Sequence, residues 1–265
     1  MAEDRFQFSI AGCTDTGLRR KQNEDHIGFS QQFGIAVLAD GMGGHQSGEI
    51  ASHMAVESVL DKLHAIAREL ATTPKSSPQL LDCVSRSISH SNDMIYQAAE
   101  ALEEHRGMGT TVVAVIAVGA TLYAGHVGDS RIYLFRNQQL KQVTRDHSLL
   151  QDLIDNGYYT EQEARAANVG HIVTRALGSK GTVEVDTVEL SLQKKDVLLL
   201  CSDGLTDLVG DWHIEEMLRE SRDADLEQAA QKLVDQANRN GGNDNISVIL
   251  MQAETHSDAV TSMNG

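Results

Sequence analysis

The chain has 265 residues, with 22 Lys and Arg against 38 Asp and Glu, a formal charge of −16 and an apolar share of 41%. A length of this order builds one large domain or two small ones, and the apolar share suffices for a core, which excludes a wholly disordered chain. So acidic a surface repels phosphate backbones and excludes a dedicated nucleic-acid binder, and no apolar run approaches the ~18 residues of a membrane span.

Along the chain, short runs rich in Val, Ile, Leu and aromatic residues predict strands over 6–14, 27–30 and 34–39. Val56, Val59, Leu60, Leu63, Ile66, Ala67 and Leu70 then recur at helical spacing, as do Leu81, Val84, Ile88, Ile95, Ala98 and Leu102. Between these helices lies a loop over 72–78, marked by Pro74 and Pro78, because proline is excluded from helix interiors. Further strands are predicted over 110–118, 121–127, 131–135, 183–190, 197–201 and 246–251. The stretch 149–177 is polar and helix-prone without a core stripe, and reads as a surface excursion. A third amphipathic helix is written in Leu226, Ala229, Ala230, Leu233, Val234 and Ala237, and a polar tail follows from Glu254. Connections of a few residues suit antiparallel hairpins, so the elements predict one α+β sandwich.

The N-terminal MAEDRFQFSI lacks both a basic segment and a long apolar run, so no secretory signal is expected. Cys13, Cys83 and Cys201 form no CxxC pair and cannot all be paired within the chain, so they are expected to be reduced core residues in a cytoplasmic protein.

The informative pattern is a set of aspartates at the ends of apolar runs, each beside small residues. Asp40 closes 34–39 and is followed by Gly41; Asp203 closes 197–202 and precedes Gly204. Asp129 follows His126-Val127-Gly128, Asp244 lies just before the strand at 246, and Asp25 ends the run from Arg20. Any one Asp-Gly is ordinarily a turn. Four aspartates at four strand ends are a different matter, because burial makes charge unfavourable unless a cation compensates. Oxygen ligands without thiolates or paired histidines suit Mg²⁺ or Mn²⁺. The glycine-rich run 41–44 lacks the Lys-Ser/Thr of a P-loop and the spacing of a dinucleotide fingerprint.

In this order, GLRRKQNED (17–25), VLADGMGGH (37–45), MGTT (108–111), HVGDSR (126–131), LCSDG (200–204) and GGNDN (241–245) resemble the PPM, or PP2C-type, metal-dependent Ser/Thr protein phosphatases, specifically small bacterial members. The resemblance covers nearly the whole chain. It implies an α-β-β-α sandwich of two antiparallel sheets flanked by helix pairs, one domain over 1–253, a flap over about 147–177 and a disordered tail over 254–265. It implies that Asp40 bridges two Mn²⁺ or Mg²⁺ ions, with Asp203 and Asp244 completing one and the Gly41 carbonyl holding the other, which Asp25 and Glu24 reach through water. Asp129 matches the ligand of a third, weaker ion, and Arg20 the arginine that clamps the substrate phosphate. Hydroxide held between the ions would attack phosphorus directly in phosphoserine or phosphothreonine, with no covalent intermediate. Where eukaryotic members carry a histidine after Asp-Gly, this chain has Met42, which leaves His45 or a metal-bound water as the general acid. The implied partners are phosphoproteins and a cognate Ser/Thr kinase, met as a monomer, with no nucleic acid and no membrane. The competing reading is an inactive phosphatase-like module that works by binding a partner. The retention of Asp40, Asp203, Asp244 and Arg20 argues against it.

Overall fold

The computed structural model describes residues 6–43, 47–160, 163, 172–221 and 225–255. Eleven strands among them form two antiparallel sheets. The first has the order β1 (Phe6–Asp15), β11 (Ile246–Thr255), β10 (Val197–Cys201), β7 (Arg131–Arg136) and β8 (Gln139–Gln142). The second runs β2 (Asp25–Ser30), β3 (Ile35–Met42), β5 (Val112–Val118), β6 (Thr121–Val127) and β9 (Asp186–Ser191), with β4 (Gly109–Thr110) paired to the end of β3.

The strands read as near-continuous apolar runs because both faces of each sheet are covered. In β3, Ile35, Val37 and Ala39 pack with α1 (Ser47–Leu70) and α2 (Ser77–Ala101), while Ala36 and Leu38 face the other sheet and meet Leu198, Leu200 and Ile249. In the first sheet Leu198 and Leu200 point inward. Leu199, Cys201, Val248 and Leu250 point outward onto α5 (Asp211–Glu220) and α6 (Leu226–Arg239). Three apolar layers therefore separate four layers of secondary structure in the order α-β-β-α, as the family resemblance implied. Two shorter helices are α3 (Leu149–Asp155) and α4 (Asp203–Thr206).

Several local expectations need correction. Pro78 lies inside the first turn of α2, where its missing N–H breaks no helical bond, and Ser76 with Gln79 forms a capping box ahead of it. The strand expected over 110–118 is interrupted at Thr111, whose hydroxyl is drawn away to Asp40 and Ser130. The polar edge strand β8 and helix α5 were not predicted: α5 buries only Ile214 and Leu218, too short a stripe to read. The excursion from 149 opens with α3, which has no buried residue, but it returns to the core at Ala176 and Leu177. Of the cysteines only Cys201 is buried; Cys13 and Cys83 are half-buried, and all three are free. Strand β11 extends two residues into the polar tail, with Glu254 and Thr255 opposite Gln7 and Phe6; positions 256–265 lie outside the described residues. Among the described residues no helix is long and apolar enough to cross a membrane.

Candidate metal centre

Five elements deliver carboxylates to one end of the sandwich. Asp25 starts β2 and Asp40 stands directly opposite it near the end of β3. Asp203 opens α4 just after β10, Asp244 precedes β11, and Asp129 sits in the turn between β6 and β7. A strand that is rigid and buried up to its last residue holds its terminal carboxylate in place with little freedom of its own. The two sheets are tied together here by Ser202, whose hydroxyl donates to Asp25 Oδ2 at 2.8 Å and accepts from the Ser247 N–H at 3.0 Å.

The backbone around Asp40 is fully bonded. Its carbonyl accepts from the Thr111 N–H at 2.9 Å and the Thr110 hydroxyl at 2.8 Å, and its N–H donates to Thr111 Oγ1 at 3.0 Å. Thr111 Oγ1 lies 2.7 Å from Ser130 Oγ, so the end of β3 and the turn that carries Asp129 are braced against each other. Gly41 is required by space: a Cβ there would collide with the carbonyl oxygens of Gly48 and Glu24.

The loop that carries Arg20 is fixed from the other side by Asn245. Its Nδ2 donates to the Thr16 and Gln22 carbonyls, both at 2.9 Å, and its Oδ1 accepts from the Glu24 N–H at 2.8 Å. The Leu18 and Arg19 N–H groups donate to the Gly242 carbonyl. Arg20 thereby reaches the rim, where Nη2 donates to Asp244 Oδ2 at 2.6 Å with half of its side chain still exposed.

Burial first, and then the neighbouring carboxylates, disfavour the charged forms of Asp25, Asp40 and Asp129. Burial, with the Asp203 and Asp244 charges adding to it, lifts the Asp25 carboxyl to about 7. Burial and the Asp203 and Asp146 charges lift Asp129 to about 7 as well. Asp40 is raised well above the carboxylate range by burial and then by Asp25, Asp203, Asp129 and Asp244. Asp25 Oδ1 is buried and has no hydrogen-bond partner among the described residues. Buried carboxylates with an orphan oxygen are expected to be neutralised by protons or by cations. The donors are all oxygen, the set that hard dications take. The residues present therefore fit a divalent metal centre.

Of the residues singled out in the sequence, Arg20, Asp25, Asp40, Gly41, Asp129, Asp203 and Asp244 are all carried to this end of the fold. His45 lies outside the described residues. Sequence reasoning missed Asn245, Thr111 and Ser202, which hold the ligand-bearing loops; all three stand inside the quoted motifs, but nothing in one sequence says where their side chains reach.

Sequence reasoning also left His126 and His147 without a role. Their rings stack at 4.6 Å and 14°. His126 Nε2 bonds the Arg145 carbonyl at 2.8 Å, and His147 Nδ1 accepts the Gly128 N–H at 3.0 Å, one residue before Asp129. Arg175 Nη1 lies 3.0 Å from His147 Nε2 and donates to Asp186 Oδ1 at 2.6 Å. Both ends of the 147–177 segment are thus anchored beside β6. Burial, then the adjacent His126 and Arg175, press His147 down to about 4, so it is neutral at physiological pH.

Comparison with known proteins identifies the family. The family model for Protein phosphatase 2C matches residues 18–251. The serine/threonine phosphatase stp of Listeria monocytogenes is 38% identical over 244 residues, covering 91% of this chain and 94% of that protein. Protein phosphatase PhpP of Streptococcus pneumoniae is 34% identical over 247 residues, covering 92% and 97%. Among solved structures, the Mycobacterium tuberculosis serine/threonine phosphatase PstP/Ppp superposes with a TM-score of 0.84 at 33% identity, covering 94% of this chain and all of that one. The catalytic domain of PstP in complex with two manganese ions gives 0.82 at 32% identity, covering 94% and 99%. Matched by the family model over residues 18–251 and by these relatives and structures over nine-tenths of its length, the chain belongs to the protein phosphatase 2C family and is a metal-dependent serine/threonine phosphatase of the small bacterial type.

Proposed function

We propose that the aspartate cluster holds two Mn²⁺ or Mg²⁺ ions for the hydrolysis of phosphoserine and phosphothreonine in proteins. The observation that carries this assignment is the convergence of Asp25, Asp40, Asp129, Asp203 and Asp244 at one end of the sandwich, with the Asp25 Oδ1 atom buried and unpartnered. Asp40, Asp203, Asp244 and the Gly41 carbonyl would hold the two ions, with Asp25 and Glu24 as their nearest outer partners. Asp129, in the turn between β6 and β7, would hold a third, weaker ion. When bound, the ions supply Lewis acidity that lowers the pKa of water and offsets charge on the phosphoryl oxygens.

The chain's own residues supply position. Arg20 is at the rim with spare donors on its guanidinium, and its planar fork matches two phosphoryl oxygens. Its bond to Asp244 orients it toward the cluster before substrate arrives. Cys201 is buried in β10, its thiol raised to about 12 by burial, so no thiolate nucleophile is available from it. That agrees with direct displacement by water without a covalent enzyme intermediate. His45 is the candidate proton donor to the leaving oxygen. We assign 147–177, of which 161–162 and 164–171 lie outside the described residues, to a flap, and 1–253 to one domain. In the cell we assign the protein to the cytoplasm as a monomer that opposes a cognate Ser/Thr kinase. The odd number of cysteines, none of them in a CxxC pair, supports a reducing setting.

The test is hydrolysis of a phosphothreonine peptide and of p-nitrophenyl phosphate with Mn²⁺, with Mg²⁺ and with EDTA, in the wild type, Asp40→Ala and Asp203→Ala. Metal-dependent turnover is expected, lost more than about 100-fold in each variant, since even outer-shell changes at metal sites lower function about 10–100-fold. Near-normal turnover of either folded variant at saturating Mn²⁺ would overturn the assignment.

A further inference from the structure

A second set of metal-ligating side chains lies outside the aspartate centre. His26 follows Asp25 on β2, and the pleat of that strand sends the two to opposite sides. Ile27 packs near Gly12 of the first sheet, whereas a Cβ on Gly28 would meet Val56 and Leu60, so the even-numbered side faces α1. There the His26 ring lies 4.6 Å from that of His53 at 56°. Glu57 stands one helical turn beyond His53, on the same face of α1. One ligand atom from each of His26, His53 and Glu57 falls within 4.8 Å of the others. His53 and Glu57 are exposed and His26 is half-buried, so the group is open to solvent. Among the described residues none of the three side chains has a hydrogen bond or ion pair that would have to be broken.

The other compact group, His126, His147 and Asp186, differs on just this point. Its ligand atoms are committed to Arg145, Gly128 and Arg175, and the Arg175 guanidinium stands inside the group as a resident cation.

We propose that His26, His53 and Glu57 form a binding site for a dication of the Zn²⁺ class, clamping β2 to α1. Two imidazoles and one carboxylate, with water in the fourth position, make a known tetrahedral zinc ligand set. Bonds of about 2.0–2.2 Å place such ligands about 3.4 Å apart, so rotation of the exposed His53 and Glu57 side chains closes the group on an ion. Imidazole favours Zn²⁺, Cu²⁺ and Ni²⁺ over Mg²⁺ and Mn²⁺, so this site and the all-oxygen centre select different metals. The clamp joins two elements that support the centre: β2 carries Asp25, and the first turn of α1 carries Gly48, whose carbonyl backs Gly41. The inference does not depend on the roles assigned to the aspartates.

The experiment is a Zn²⁺ titration of the full chain in excess Mg²⁺, which loads the oxygen ligands. Affinity is read by competition with a chromophoric chelator, and the histidine ring resonances by NMR. Wild type and Asp40→Asn are both expected to bind the ion, with shifts in the His26 and His53 rings. His53→Ala and His26→Gln are expected to lose more than about tenfold in affinity. Because alanine is the best helix former, His53→Ala keeps α1 and leaves Mn²⁺-dependent turnover unchanged. Equal Zn²⁺ affinity in wild type and His53→Ala would overturn the proposal. So would loss of the ion in Asp40→Asn alone, which would place it among the aspartates.

Discussion

Asp25 and Asp40 are register partners across β2 and β3, two carboxylates facing each other at the mouth of the sandwich. Directly opposed side chains in an antiparallel pair have Cβ atoms about 4.5–5.5 Å apart, and like charges at that separation repel. Ser202 satisfies one oxygen of Asp25, but the other has no protein partner. This pair makes the metal-free fold carry a local instability that cation binding relieves.

In excess chelator, Asp40→Asn is therefore expected to melt higher than the wild type, by about 2–4 °C for each kcal/mol of repulsion removed. Added Mn²⁺ should raise the wild-type melting temperature and move the variant much less. Thermal unfolding with and without metal checks both. A metal-free Asp40→Asn that melts below the metal-free wild type would contradict the repulsion.

Arg20 meets Asp244 at 2.6 Å and is half exposed, so it is available to substrate. Arg20→Ala should lower kcat/KM for a phosphopeptide about 10–100-fold, mostly through KM, as expected for a charge-assisted contact worth roughly 1.5–3 kcal/mol. Arg20→Lys should recover only part, because an ammonium cannot grip two oxygens as a planar fork does. Steady-state kinetics decide, and an unchanged KM in Arg20→Ala removes it from the site.

Asn245 is a positioning residue, and its three hydrogen bonds hold the 16–24 loop to the start of β11. Asn245→Ala is expected to destabilise the fold by at least about 1–3 kcal/mol and to raise both KM and the Mn²⁺ concentration needed for half-maximal rate. Asn245→Asp keeps the acceptor for the Glu24 N–H but turns a buried carboxylate oxygen onto the Thr16 and Gln22 carbonyls, so it should be at least as destabilised as Asn245→Ala. Denaturant unfolding and a Mn²⁺ titration of activity measure the two effects separately.

His147 is held neutral, at about 4, by burial and by the facing His126 and Arg175, with Asp186 opposing them. Its folded value lies below the ordinary value of about 6.5, so on acidification the unfolded chain takes up the proton first. The stability involved is fully present above about pH 6.5 and is lost as the pH falls toward 4, with a slope of at most about 1.4 kcal/mol per pH unit. His147→Gln should show a shallower acid slope than the wild type. Urea midpoints between pH 7.5 and 5 test this; parallel slopes would show that His147 titrates normally.

What could be read from the sequence was local. Apolar runs closed by Asp-Gly drew attention to Asp40 and Asp203, although β3 continues through Gly41 to Met42 and Asp203 opens α4. Helices α1, α2 and α6 were legible because each buries one stripe at period 3.6. Strands β3, β5 and β10 were legible as strands, but not in their orientation: with both faces buried, the period-2 signal that would tell inside from outside disappears. The layering therefore came from family resemblance and from the tertiary structure, not from the pattern itself. The polar strand β8 left no apolar trace at all.

Tertiary structure alone decided which side chains meet. The opposition of Asp25 and Asp40 is a matter of strand register, and the grip of Asn245 on Thr16, Gln22 and Glu24 spans more than 220 positions of sequence. The meeting of His26 with His53 and Glu57 depends on how α1 is laid across β2. The sequence by itself determined the chemistry on offer, because residue types and the hydrophobic run lengths before them are written in one dimension. Distances, burial and the resulting shifts in charge arise only when sheets stack and loops converge, and those are what bring a scattered set of aspartates to one end of the sandwich.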